Sequence, residues 1–159
     1  MVKYNSKHAI VKRPPYMLYM AFADMRNFVN MLPEDKKQGV EADYDTLTAT
    51  VQGFTIGVKV YERVPYSLLS LVDNGAPFGF KVDFDFESNS GAQNETDFSI
   101  DVEADLNFMM KVMLGSKIQE GIDKIVEGLA ALSEGHMPEG MDPSMMPEGF
   151  DPRNLGGLF

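Results

Sequence analysis

The sequence predicts an α+β domain in which one antiparallel sheet packs against a long C-terminal helix. Two observations carry this. Phe78, Phe80, Val82, Phe84 and Phe86 alternate with Gly79, Lys81, Asp83, Asp85 and Glu87, and Phe98, Ile100, Val102, Ala104 and Leu106 alternate with Ser99, Asp101, Glu103 and Asp105. Strict alternation over ten residues buries one face of a strand and wets the other, as antiparallel sheets do. Then the period changes: Leu114, Ile118, Ile122, Ile125, Leu129 and Leu132 recur at intervals of four, four, three, four and three. That is one helical stripe.

The remaining elements follow in order. Residues 2–13 read as a strand, with Val2, Tyr4, His8, Ile10 and Val11 among Lys and Ser, ended by Pro14-Pro15. Proline is tolerated in a first helical turn, and residues 16–30 carry a helical pattern through Leu18, Phe22 and Met25. Leu32-Pro33 stops it, and a charged loop follows. Short strands are expected at 40–43 and 47–51, then at 54–60, where Phe54, Ile56, Val58 and Val60 share one parity. Pro65 breaks that run, and 67–72 makes another strand, ended by Asp73-Asn74-Gly75. Asn107 is placed to cap a helix reaching Ser133.

Residues 135–159 differ in composition. Two copies of Met-Pro-Glu-Gly-x-Asp-Pro, at 137–143 and 146–152, put proline and glycine at a density that forbids a regular helix. The expected division is a domain over 1–134 and an extended or disordered tail over 135–159.

Composition narrows the chemistry. With no Cys among 159 residues, disulfides, thiolate metal sites and thiol nucleophiles are excluded. Two His, His8 and His136, argue against a multi-histidine zinc site. A net charge of −10 argues against nucleic acid or an anionic membrane as partner. The opening residues hold no apolar run, so neither a signal peptide nor a membrane-spanning helix is expected, and the location is read as cytoplasmic.

Two stretches carry a family resemblance. Val11-Lys-Arg-Pro-Pro-Tyr-Met-Leu-Tyr-Met-Ala-Phe-Ala-Asp-Met-Arg-Asn-Phe28 is similar to a strand, then Pro, then a helix running into Ser/Ala-Asp-x-x-Asn. Ala104-Asp-Leu-Asn-Phe-Met-Met110, leading into Gln119-Glu-Gly-Ile-Asp-Lys-Ile125, resembles a last strand passing into a gripping helix. Together they resemble the START-like helix-grip fold of the SRPBCC superfamily, which includes polyketide cyclases, plant pollen allergens and lipid-transfer domains, and most closely its small bacterial members. The resemblance covers about residues 2–133. It implies a curved sheet of about seven strands wrapped around the C-terminal helix, with a cavity between them for an apolar or amphipathic ligand.

On that basis the candidate ligand-binding residues are Phe54, Ile56, Val58, Phe80, Val82, Phe84, Ile100 and Val102 on the sheet, with Met109 and Met113 at the helix start. Methionine is flexible and polarisable, which suits a pocket that adapts to different apolar shapes. No catalytic residue, metal ligand or cofactor is expected. The inward parity of the two best strands is wholly apolar, so acid–base chemistry lacks obvious agents there. Tyr16, Tyr19, Tyr61, Tyr66 and Arg63 are the polar groups that could reach a rim. The acidic row Asp83, Asp85, Glu87, Asp101, Glu103 and Asp105 reads as a solvated outer face, relieved by Lys3, Lys7 and Lys12 if the first strand pairs with the last. A polyketide-cyclase-like enzyme and a protein-interaction module acting through the tail and the Met-rich helix start are the alternatives, the latter with self-association through the tail.

Overall fold

The computed structural model describes residues 1–30, 37–51, 54–88 and 94–134, without the side chains of Val51 and Phe54. The tail expected at 135–159 lies outside the described residues. Among the described residues eight strands form one antiparallel sheet: β1 (Val2–Asn5), β2 (Ala9–Val11), β3 (Val40–Ala42), β4 (Thr46–Val51), β5 (Phe54–Val64), β6 (Leu68–Asp73), β7 (Phe80–Ser88) and β8 (Thr96–Ala104). They lie in the order β1-β8-β7-β6-β5-β4-β3, with β2 also on β8. Three helices accompany them: α1 (Pro15–Ala23), α2 (Arg26–Asn30) and α3 (Phe108–Ser133).

The first strand is interrupted rather than continuous. Asn5 pairs with Asp101, but Ala9 pairs with Phe98, so three residues on one side face two on the other. This is a one-residue bulge. The Ser6 amide donates to the Ile100 carbonyl, and the Ser6 hydroxyl accepts from the Ile100 amide, both at 2.8 Å. The extra residue also flips the parity: Val2 and Tyr4 share the sheet face of Ala104 and Val102, whereas beyond the bulge Ala9 and Val11 do.

The predicted helix over 16–30 is two helices. Asp24 takes an extended backbone, its carboxylate accepts the Arg26 amide at 3.0 Å, and it pairs with the Arg26 guanidinium at 2.7 Å. A short acidic side chain that bonds to the backbone just ahead of it ends one helix and begins the next. Asn27 donates to the Ala21 carbonyl at 2.8 Å and fastens the corner. Both residues belong to the Ala-Asp-x-x-Asn stretch.

α3 begins as predicted, with the Asn107 side chain accepting the Met110 amide at 2.9 Å. Its buried stripe differs from the predicted one. Gly115, Ile122, Val126, Leu129 and Ser133 are buried, while Ile125 is 50% exposed. Two neighbouring apolar rows on one helix satisfy the same periodicity, and the packing surface selects between them.

The core joins α1, the middle of the sheet and α3. Phe22 stacks on Phe84 (5.4 Å between centroids) and Phe98 (5.7 Å), and Phe86 stacks on Phe98 (5.5 Å). Such ring pairs contribute about 0.5–1.5 kcal/mol each beyond their buried area. α3 meets the sheet mainly along β2, β1 and β8, whereas α1 lies on β7 and β6.

Candidate functional site

The register places apolar side chains in rows across one face of the sheet. One row runs Tyr4, Val102, Val82, Leu71, Val60 over β1, β8, β7, β6 and β5. Beside it Ala104 faces Phe80, and on the other side Ile100 faces Phe84, which faces Leu69. β5 and β4 extend the face through Val58 opposite Leu47 and Ile56 opposite Ala49.

Coverage of that face is uneven. Phe84, Ile100 and Val102 are buried in the core, and Phe80, Val82, Val58, Val60 and Leu47 are half-buried. Ile56 is 38% exposed. The side chain of Phe54 lies outside the described residues, though its backbone continues β5 opposite Val51.

The α3 methionines stand elsewhere than expected. Met109 and Met113 are 70% and 63% exposed. At 3.6 residues per turn they lie about 140° and 180° round the helix from Ile122. Ile118, Ile122, Val126, Leu129 and Ala130 are the α3 residues that meet the core. Phe108, Met109, Val112 and Met113 form an exposed apolar patch at the start of α3.

The polar groups suggested for the rim are largely engaged or on the surface. Arg63 falls on the Leu69 register because a bulge at Tyr61 shifts β5 by one residue. Its guanidinium donates to the Ala23 and Tyr44 carbonyls at 2.8 and 2.9 Å and pairs with Asp45 at 2.7 Å, with the Tyr44 ring 4.1 Å away. That arrangement ties α1 to the β3–β4 turn. Tyr19 packs edge-on against Tyr66 and Phe86, and burial pushes its hydroxyl above the ordinary phenol range. Tyr16, Tyr61 and Tyr66 are exposed. A depression of about 530 Å³ opens beside α2 and β3, lined by Asp24, Arg26, Asn27, Val29, Asn30 and Ala42.

Periodicity gave no sign of Tyr4. Its hydroxyl is buried and has no hydrogen-bond partner among the described residues. It lies against Gly115 of α3, where an added Cβ would come within 2.9 Å of the oxygen.

On the opposite face lies the acidic row. Asp83 faces Asp101 directly, and Glu87 faces Asp97. Burial, the hydrogen bond with Asp101 and the nearby Asp83 and Glu87 push the Asp85 carboxyl up to about 7. β1 does pair with β8, and Lys3 meets Glu103 at 3.6 Å, but Lys7 reaches Glu127 of α3 and Lys12 reaches Glu95. His8 is exposed and bonds Asp97 at 2.8 Å, which raises its pKa. Among the described residues no group of three or more carboxylates and imidazoles is arranged to hold a metal ion.

Solved structures share this architecture. A Thermobifida fusca protein solved by NMR superposes with a TM-score of 0.66 at 12% identity, covering 86% of this chain and 97% of its own. Norcoclaurine synthase from Thalictrum flavum superposes at 0.56 and 11% identity, covering 76% of this chain and 79% of its own. The fold is the START-like helix grip. The Aha1 dimer from Colwellia psychrerythraea has the same grip at a TM-score of 0.55 and 15% identity, over 82% of this chain and 97% of its own. No protein-family model and no curated protein matches the sequence. No helix among the described residues is long and apolar enough to cross a membrane.

Proposed function

We propose that this helix-grip domain is a cytoplasmic, non-catalytic binder of a small hydrophobic or amphipathic molecule, held between the sheet and α3. One observation carries the reading. α3 packs chiefly on β1, β2 and β8 and α1 covers Leu69, Leu71, Phe84 and Phe86 on β6 and β7, while Phe80 and Val82 on β7 and Val58 and Ile56 on β5 stay part-exposed among the described residues. Ligand sites of this kind are mostly apolar, with a few polar groups that fix orientation. Phe84, Ile100 and Val102 would form the floor. A cyclase-like enzyme would need a free acid or base in the same space, and Arg63, the guanidinium on that side, is already committed to three structural partners.

Binding of an apolar fluorescent dye to the folded domain tests the reading. Val82→Trp should abolish dye binding with little loss of stability, because it fills open space. In a closed core the same change would overpack, costing about 1–3 kcal/mol. A wild-type domain that binds no dye, with Val82→Trp strongly destabilised, refutes it.

A second reading rests on the patch formed by Phe108, Met109, Val112 and Met113. Contiguous exposed apolar surface marks interaction sites, and here the proposed partner is a second copy of the chain. The tail over 135–159, with Met141 and Phe150 between Gly and Asp-Pro, is proposed to contribute to that association. Met109→Glu with Met113→Glu should lower the sedimentation mass of any oligomer. A mass unaffected by the pair refutes the role of the patch.

A further inference from the structure

We propose that the Tyr4 hydroxyl is the polar anchor of the ligand site and selects uncharged amphipathic molecules carrying a carbonyl or hydroxyl at one end. The inference rests on the ligand-binding reading above and deepens it.

Three observations meet at this residue. Tyr4 ends the row Tyr4, Val102, Val82, Leu71, Val60, whose other members are apolar. With neighbouring strands about 4.8 Å apart, four spacings span roughly 19 Å, Val82 and Val60 being half-buried along it and Val102 and Leu71 buried as its floor. Its hydroxyl is buried without a partner among the described residues, although buried polar groups are nearly always hydrogen-bonded. And the helix keeps a glycine where the hydroxyl sits: a Cβ at Gly115 would approach the oxygen to 2.9 Å.

Taken for stability alone, both choices are poor. Phenylalanine at position 4 would leave no orphan hydroxyl, and alanine at 115 would favour the helix. A site that departs from two local rules at one contact is where function is expected. A phenol can donate one hydrogen bond and accept others. A ligand lying along the row with its oxygen at β1 would satisfy the group.

The surroundings decide against a charged head group. A carboxylate buried on an apolar face needs a paired cation. Arg63, on the same side, is engaged by Ala23, Tyr44 and Asp45. Lys3, within β1, and Lys7, just after it, reach Glu103 and Glu127. The chain as a whole carries −10, so a neutral oxygen acceptor fits best.

The test compares the full chain with Tyr4→Phe, using diphenylhexatriene as an oxygen-free probe and 2-dodecanone as its competitor, with dodecanoate alongside. Tyr4→Phe should bind the dye within twofold of wild type yet bind 2-dodecanone about 5- to 10-fold more weakly, the effect of one lost neutral hydrogen bond. Dodecanoate should compete less well than 2-dodecanone in wild type. If wild type binds no dye, the ligand-binding reading itself fails. If both proteins bind dye and 2-dodecanone equally, or dodecanoate wins, the Tyr4 assignment fails while the binding reading stands. Should Tyr4→Phe not fold, ring-labelled tyrosine NMR on wild type decides: the Tyr4 Cζ resonance should move with 2-dodecanone and stay put with the dye. A Cζ resonance that ignores 2-dodecanone overturns the assignment.

Discussion

Ser6 and Ile100 are joined by two hydrogen bonds of 2.8 Å, one through the serine amide and one through its hydroxyl oxygen. The hydroxyl stands in for a strand carbonyl at the point where the bulge displaces the backbone. This link lets one N-terminal segment present Tyr4 and Val11 to the same face from opposite parities.

Ser6→Ala is therefore expected to destabilise the domain by about 1–3 kcal/mol, since the buried Ile100 amide loses its acceptor. Chemical denaturation measures this. Ser6→Thr, which keeps the oxygen, should lose less. A Ser6→Ala protein as stable as wild type would show that the amide finds another partner.

Glycine substitutions should separate sharply by position. At Gly57 a Cβ would stand 2.0 Å from the Asn74 carbonyl oxygen, in a pairing where the Gly57 amide also donates to Gly75 at 2.7 Å. Because that neighbour is backbone, Gly57→Ala must move β5 or the β6 end, at an expected loss of more than about 2 kcal/mol. At Gly121, inside α3, nothing lies within 4 Å of the added atom. Gly121→Ala should raise stability by up to about 1 kcal/mol through helix propensity. Thermal melts of the two variants give opposite signs if the geometry is right.

The outer face should make the protein more stable in mild acid than at neutral pH. Asp85 has its folded pKa raised from 3.8 to about 7, so the folded state holds a proton that the unfolded chain has released between those values. Stability contributed by that proton is present toward pH 4 and falls away as pH rises through 7. His8 acts in the same sense: raised above 6.5 by Asp97, it contributes fully below 6.5 and less as pH climbs through its folded value. Asp24 and Asp43 act oppositely, held below 3.8 by Arg26 and by Thr46 respectively, and their stabilisation is lost only as pH falls below that range. A maximum near pH 4 is expected, where the Asp85 contribution is still present and those of Asp24 and Asp43 are nearly complete. Asp85→Asn, which mimics the protonated acid, should flatten the slope between pH 4 and 7. At pH 7.5 it should raise Tm by about 2–4 °C, since solvent screening holds the effect near 1 kcal/mol. An unchanged profile in this variant would remove Asp85 as the source.

Truncation after Gly135 should leave folding intact and change association. The strands and helices described end at Ser133, so loss of the tail is expected to alter stability by less than about 1 kcal/mol. Sedimentation of the truncated and full chains should differ in mass if the tail links copies. A collapse of Tm on truncation would mean that the tail packs as part of the domain.

The sequence by itself determined the sidedness of β7 and β8 and the extent of α3. Alternation in β7 and β8 identified which residues face the core, because a period of two survives any curvature of the sheet. Asn107 marked the start of α3, because a cap is a local hydrogen bond. What it could not determine were relations between residues far apart in the chain. The bulge at Ser6 depends on Ile100, and it decides that Tyr4 rather than His8 faces inward. The choice of Val126 over Ile125 depends on which side of α3 meets β1, β2 and β8; local periodicity fits either row. The same rotation leaves Met109 and Met113 in solvent. The raised carboxyl of Asp85 depends on burial and on cross-strand Asp101, and the place of the Tyr4 hydroxyl on a glycine 111 positions away. Pattern fixes what a segment prefers to bury, but only packing brings distant segments together and selects which of several acceptable faces is buried.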